Sequence, residues 1–289
     1  MTLDEECKGC LYNSQLKKVE RDCGAGEELE LFKAEVKALC QKPPANYCAP
    51  LLMRDIDGIH RKIFGRGIDY SREKSAFNLQ LLSLETEIFA HVSACADPLR
   101  EALKYSMAAN YIDFARLADL NEGSVDYVMQ VAERAEVDEG VLRQLKAKLK
   151  TAKKLCFLHD NCGEIVMDKI LLRVIKQNYP QIKLYSVVRG APVINDVTER
   201  DAREVGLYEV STVISNSSGV PGTYLKEVNS EVLDLLKTSE VIISKGLGNL
   251  ETLYGEGYDI FYAFNCKCAH IAERFNLKLW QAAFIAELN

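Results

Sequence analysis

The sequence predicts an α/β protein, a Rossmann-like three-layer α/β/α domain on a mainly parallel sheet over residues 151–289, preceded by a helical region over residues 1–150. Three observations carry this. Apolar residues recur with a helical period before residue 150. After it, short apolar runs alternate with helical stretches, the mark of βαβ units. Each of those runs also ends in a polar cluster, as strands do when they stop at a common sheet edge.

In the first half, Leu29, Phe32, Val36 and Leu39 share one face of a predicted helix over residues 27–40. Val141, Leu142, Leu145 and Leu149 do the same over residues 138–150. Helical patterns also run through residues 72–94, 98–114 and 124–135, with Pro43-Pro44 and Gly65-Arg66-Gly67 as punctuation. In the second half the strand-like runs are residues 155–158, 184–188, 212–214, 241–243 and 260–264. Helical periods over residues 165–176, 198–205 and 223–237 separate several of them, so the sheet should be covered on both faces.

Composition bounds the function. Hydrophobic residues make up 48% and charged residues 27% of 289, the balance of a globular chain long enough for a substantial core. The net charge is −6 and no basic stripe is present, which argues against a nucleic-acid partner. No stretch approaches the roughly 18 apolar residues of a spanning helix, and the acidic start is no signal peptide. A cytoplasmic protein with a small-molecule ligand and no membrane partner is the expectation. Ten cysteines are many for that compartment. Cys156 should pack as a small hydrophobe, while Cys7-Lys8-Gly9-Cys10 has the spacing of half a zinc or redox site.

The polar strand ends are His159-Asp160-Asn161, Arg189-Gly190, Ser215-Asn216, Ser244-Lys245-Gly246 and Asn265-Cys266-Lys267. Taken alone, Asp160-Asn161 reads as a helix N-cap. Asn195-Asp196 then repeats the same residue types after the next run. Together Asp160, Asn161 and Asp196 give an oxygen-only ligand set suited to Mg²⁺ or Mn²⁺, with positions left for water and substrate phosphate. Glu164 and Asp168, four apart on the following helix, could hold Lys245 or a water, or could be solvated acids at a helix N-terminus. Lys245 precedes a glycine-rich turn that could present N–H groups to an anion. Ser215 and Asn216 offer a hydroxyl and a carboxamide in a similar turn, which taken alone reads as an ordinary polar loop.

These motifs resemble the damage-control phosphatase family, in its prokaryotic branch with an N-terminal CxxC. The resemblance rests on Asp160-Asn161-Cys162-Gly163-Glu164 with Asp168, Arg189-Gly190-Ala191-Pro192 with Asn195-Asp196, Ser244-Lys245-Gly246 with Asn249 and Glu251, and Lys267-Cys268. Residues 109–114 look like a further motif, with Ala109-Asn110 where the family has Gly-Asn, a departure that bears on substrate range. The resemblance implies a metal-dependent phosphatase of small phosphorylated metabolites, such as damaged sugar phosphates. A divalent ion (Mg, Mn, Co or Ni) would sit on Asp160, Asn161 and Asp196. Asn110, Asp113, Arg189, Ser215, Asn216, Lys245 and Lys267 would surround the phosphorylated substrate. Asp160, Glu164 and Lys245 are the candidate catalytic residues, Glu164 orienting water or Asp160 itself taking the phosphoryl group. Two other readings use the same residues: a metal- and phosphometabolite-binding sensor without turnover, and a thiol-based redox or metal-transfer protein built on Cys7 and Cys10.

Overall fold

The helical periods of the first half become α1 (Glu5–Cys23), α2 (Glu27–Gln41), α3 (Ala49–Phe64), α4 (Ser71–Ala94), α5 (Pro98–Ala108), α6 (Val125–Glu133) and α7 (Glu139–Thr151) in a computed structural model. Residues 1, 3–109 and 125–289 are described. Local chemistry sets several helix starts. Asp4, Asp97 and Asp138 accept from the backbone N–H of Cys7, Arg100 and Val141 at the heads of α1, α5 and α7. α2 buries Leu29, Phe32, Val36 and Cys40, the apolar face its period implies. α1 and α3 were not expected from the sequence. α1 is mostly polar, and α3 is broken by charged residues that only a three-dimensional partner can sort onto one face.

The second half forms a six-stranded sheet, from β1 (Lys154–Leu158), β2 (Lys183–Val188), β3 (Thr212–Ser215), β4 (Val241–Lys245), β5 (Ile260–Asn265) and β6 (Ala282–Glu287), in the order β3-β2-β1-β4-β5-β6. β1 to β5 are parallel and answer to the apolar runs, whereas β6 closes the edge antiparallel to β5. Between them lie α8 (Glu164–Asn178), α9 (Glu199–Glu204), α10 (Ser230–Thr238), α11 (Gly246–Leu253) and α12 (Ala269–Phe275).

Two expectations need correcting. The helix expected from residue 223 begins at Ser230, because Asn229 caps it by accepting from Val232 N–H. Thr223 is instead held by Asn249 and Thr252. The glycine-rich segment after β4 is the first turn of α11 and not a loop.

One face of the sheet joins α4, α5, α7 and α8 in a single hydrophobic cluster that runs from Phe77 to Phe284 and so crosses residue 150. The other face packs on α10, α11 and α12 through Leu158, Val232, Leu250 and Ile271. The strand order reverses between β1 and β4, and an open parallel sheet leaves a crevice beyond the carboxyl ends of the strands at such a point. Asp160 and Gly246 meet there. Among the described residues no helix is long and apolar enough to cross a membrane.

Candidate active site

The chain beyond β1 and the chain beyond β2 are zipped together. Asn161 and Asp196 form an antiparallel bridge, and Arg189 and Thr198 a parallel one. Val197 N donates to Asp160 O at 2.8 Å, Cys162 N to Asn195 O at 2.9 Å and Arg189 N to Val197 O at 2.8 Å. This pairing is why two Asp/Asn pairs 35 positions apart converge. Ile194, just before them, has φ 44°, a left-handed conformation costly for a β-branched residue. From the other side of the crevice comes Gly246, with φ 78°. Any side chain there would run into the Asp160 carboxylate, so only glycine lets α11 start so close to it.

Negative charge is concentrated at this point. Burial, then Asp196 and Glu164, push the Asp160 carboxyl well above its ordinary range. Burial raises Asp196 as well, although Arg189 offsets part of the effect. The Arg189 guanidinium, 1% exposed, donates from Nε to Asp196 Oδ2 at 2.7 Å and lies 3.6 Å from Asp160 Oδ1. Asn161 Nδ2 donates to Asp160 Oδ2 at 2.6 Å and to Glu164 Oε2 at 3.2 Å.

Behind these groups lies a second, fully buried layer. The Lys245 ammonium is 2.5 Å from Glu164 and 2.7 Å from Asp168, and donates to the carbonyl and hydroxyl of Ser106 at 2.7 and 2.8 Å. Burial works against its charge, yet Asp168 and Glu164 hold it above the usual lysine range. Burial likewise opposes ionisation of Asp168, but Lys245 and a His159 hydrogen bond keep that carboxyl low. His159 bridges Asp168 at 3.2 Å and Ser186 Oγ at 3.0 Å. The expectation that Lys245 meets phosphate directly therefore needs revising: its donors are spent on the acids and on Ser106, away from the cavity wall.

A cavity of about 380 Å³ opens over the carboxylates. Asp160, Asn161, Asn195 and Asp196 form its floor on one side, with Lys267, Asn265 and Glu251 among the other polar lining groups, and Leu11, Pro50, Met53 and Leu247 among the apolar ones. Lys267 is thus the expected phosphate ligand that the fold brings to the wall. Ser215 and Asn216 are not on it. Asn216 Oδ1 accepts from Gly190 N and Ser218 N, both at 2.9 Å, and so builds the loops after β2 and β3. Asn110 and Asp113 lie outside the described residues.

Sequence reasoning assigned no site role to Asn265, Cys268 or Ser106. For the first two, a signal existed in their place at a strand end beside Lys267. Cys7, Cys10 and Cys268 line the same cavity. The Cys7 thiol donates to Cys268, which holds the Cys268 thiol down at about 6 and Cys7 up. Burial pushes the Glu251 carboxyl up to about 8.

The donor chemistry fits a hard divalent cation. Asp160, Asp196 and Asn161 can supply oxygen ligands, and the crowding of the two carboxylates, which Arg189 offsets only in part, favours a further cation between them. Among the described residues no three His, Cys, Asp or Glu side chains gather at ligating spacing. A cation here would therefore rest on two carboxylates and one amide, with its other positions left to water and substrate. Asn161 turns Nδ2 to Asp160, so ligation through Oδ1 asks for a half-turn of the amide.

Residues 4–280 match the family model described as the damage-control phosphatase ARMT1-like domain. The chain is 32% identical over 185 residues to an uncharacterized protein of Methanocaldococcus jannaschii, covering 62% of this chain and 60% of that one. It is 30% identical over 190 residues to a damage-control phosphatase of Pyrococcus horikoshii, covering 65% and 64%. A damage-control phosphatase of Archaeoglobus fulgidus is 29% identical over 226 residues, covering 74% and 75%. The matched part thus spans about three-fifths of the first two relatives. A crystal structure of a DUF89 family protein from P. horikoshii has a TM-score of 0.85 at 23% identity over 100% of both chains, so the fold is shared throughout.

Proposed function

The chain belongs to the damage-control phosphatase ARMT1-like family, and from that premise we propose that it hydrolyses phosphate monoesters of small phosphorylated metabolites, with a divalent cation on Asp160, Asn161 and Asp196. The observation that carries this is the crowding of the Asp160 and Asp196 carboxylates at the sheet's switch point, on the wall of a cavity that also bears Lys267. A cation bound there supplies neutralisation of a phosphoryl oxygen and a more acidic water.

The protein's own groups do the rest. Lys267 offers positive charge to the phosphoryl oxygens from the cavity wall. Arg189 fixes the direction of the Asp196 carboxylate through its 2.7 Å hydrogen bond. Lys245 is a positioning residue: it pins Glu164 and Asp168, and Glu164 in turn orients the Asn161 amide. The apolar wall excludes water from the alcohol side of the substrate and strengthens each charge interaction.

A thiol-based reading has one observation behind it, the convergence of Cys7, Cys10 and Cys268 on the same cavity. The two readings part in one assay. Phosphatase chemistry predicts turnover of p-nitrophenyl phosphate that disappears on chelation, returns with Mg, Mn, Co or Ni, and survives replacement of Cys7 and Cys10 by serine. Full turnover in chelated protein, or its loss with the two cysteines, would contradict it.

A further inference from the structure

A second cavity, of about 890 Å³, opens between α1 and the head of α4. Ser14, Lys17, Lys18 and Arg21 line it from α1, with Tyr70 and Glu73 across from them. Ile194 and Asn195 belong to the walls of both this cavity and the one over the carboxylates. The partition is therefore a single pass of chain, and it is the strained one, with Ile194 at φ 44°. Helix α1 runs past it. Positions 7, 10, 11, 14, 17, 18 and 21 share one helical face. Cys7, Cys10 and Leu11 line the first cavity, and the four residues from Ser14 to Arg21 line the second. From Leu11 to Lys18 the helix rises roughly 10 Å.

This second cavity sets three cations against one acid, Glu73, in a chain of net charge −6. Other cations of α1 to α3 meet acids: Lys8 with Glu5, Lys33 with Glu20 and Glu30, Lys62 with Glu35. Lys17 is exposed and has no ion pair among the described residues. Lys18 Nζ lies 4.2 Å from the centre of the Tyr70 ring. The Tyr70 hydroxyl is shielded from water and has no hydrogen-bond partner among the described residues. Like charges at i and i+4, as Lys17 and Arg21 are, repel along a helix, and a buried hydroxyl left unpaired opposes folding. An anion in the cavity relieves both. We propose that this cavity is a second anion subsite, which takes the distal phosphate of an elongated bisphosphorylated substrate whose other phosphate lies over Asp160 and Asp196. Lys17, Lys18 and Arg21 supply positive charge and Tyr70 a neutral donor. The phosphatase reading of the first cavity is needed only for the proximal phosphate.

The test compares wild type with Lys17→Gln, with Lys17→Gln combined with Arg21→Gln, and with Tyr70→Phe, after thermal melts establish that the variants are folded. The substrates are hexane-1,6-diol bisphosphate, its monophosphate, and ethane-1,2-diol bisphosphate, which is too short to pass Ile194. Calorimetry of hexane-1,6-bisphosphonate against hexylphosphonate, which resist hydrolysis, measures binding separately from kcat/KM. Wild type should prefer the long bisphosphate to its monophosphate by roughly tenfold or more. That preference should fall about threefold or more in Lys17→Gln and Tyr70→Phe, and in the double variant to about twofold, the statistical advantage of two ends. The short bisphosphate should show only the statistical factor. A wild-type preference no greater than that factor, an equal preference for the short bisphosphate, or a preference unchanged in the double variant would overturn the assignment. Added inorganic phosphate should not raise turnover of the monophosphate; a rise would give the cavity to a free anion and overturn the tethered one. If neither class is hydrolysed, the phosphatase reading fails, and the bisphosphonate preference alone decides the subsite.

Discussion

At Gly246 a single hydrogen atom separates the backbone of α11 from the carboxylate of Asp160. Its φ of 78° and the close approach of that carboxylate both exclude a Cβ. Gly246→Ala should therefore displace Asp160 as well as strain the turn. Activity is expected to fall by about a hundredfold or more, with a loss of roughly 1–3 kcal/mol of stability, measured by aryl phosphate turnover and thermal melting. Glu251 makes a separate prediction. Burial lifts its carboxyl from 4.5 to about 8, so the folded chain keeps a proton across that window that the unfolded chain has released. Its contribution to stability is fully present below 4.5 and is lost as pH rises toward about 8. Glu251→Gln, which does not titrate, should flatten the decline in melting temperature between about pH 5 and 8. An unchanged slope would show that this carboxyl does not titrate in that window.

The elements differ in how much their sequence reveals. β1 and β2 are short apolar runs closed by Asp160-Asn161 and Arg189-Gly190, a contrast that marks the rim in the sequence, and the repeat of the Asp/Asn pair at Asn195-Asp196 is what adds Asp196 to the metal-ligand candidates. β6, Ala-Ala-Phe-Ile-Ala-Glu, has no turn signals or alternation to mark it, and its pairing with β5 decides its state. α11 was hidden by its two glycines, residues that disfavour helix, although packing of Leu250 and Leu253 holds it in place. The partners of Lys245 were beyond the sequence for another reason. A lysine at a strand end is ordinarily solvated, and nothing local states that Ser106, 139 positions away, closes over it. For Asn265 the alternation with Lys267 was readable, but the lack of a hydrogen-bond partner for its amide among the described residues belongs to the folded environment.

On the scale of the whole molecule, the helical region is part of the site's support. Ser106 of α5 meets Lys245, Asn78 of α4 accepts from Gly163 N at 2.7 Å, and Pro50 and Met53 of α3 wall the cavity. The cluster from Phe77 to Phe284 also makes α4 and α5 one face of the sheet's core. A fragment of residues 151–289 should consequently expose that face, bind a hydrophobic dye and melt without a cooperative transition. A sharp two-state melt of the fragment would mean that the sheet folds without its helical cover. In the proposed function Asp160, Asn161 and Asp196 hold one divalent cation for phosphoryl chemistry. Calorimetric titration of Mn²⁺ into metal-stripped protein tests it most directly, with wild type and Asp196→Ala side by side. One ion per wild-type chain is expected, with binding weakened at least tenfold in the variant. Equal stoichiometry and affinity in the two proteins would contradict it.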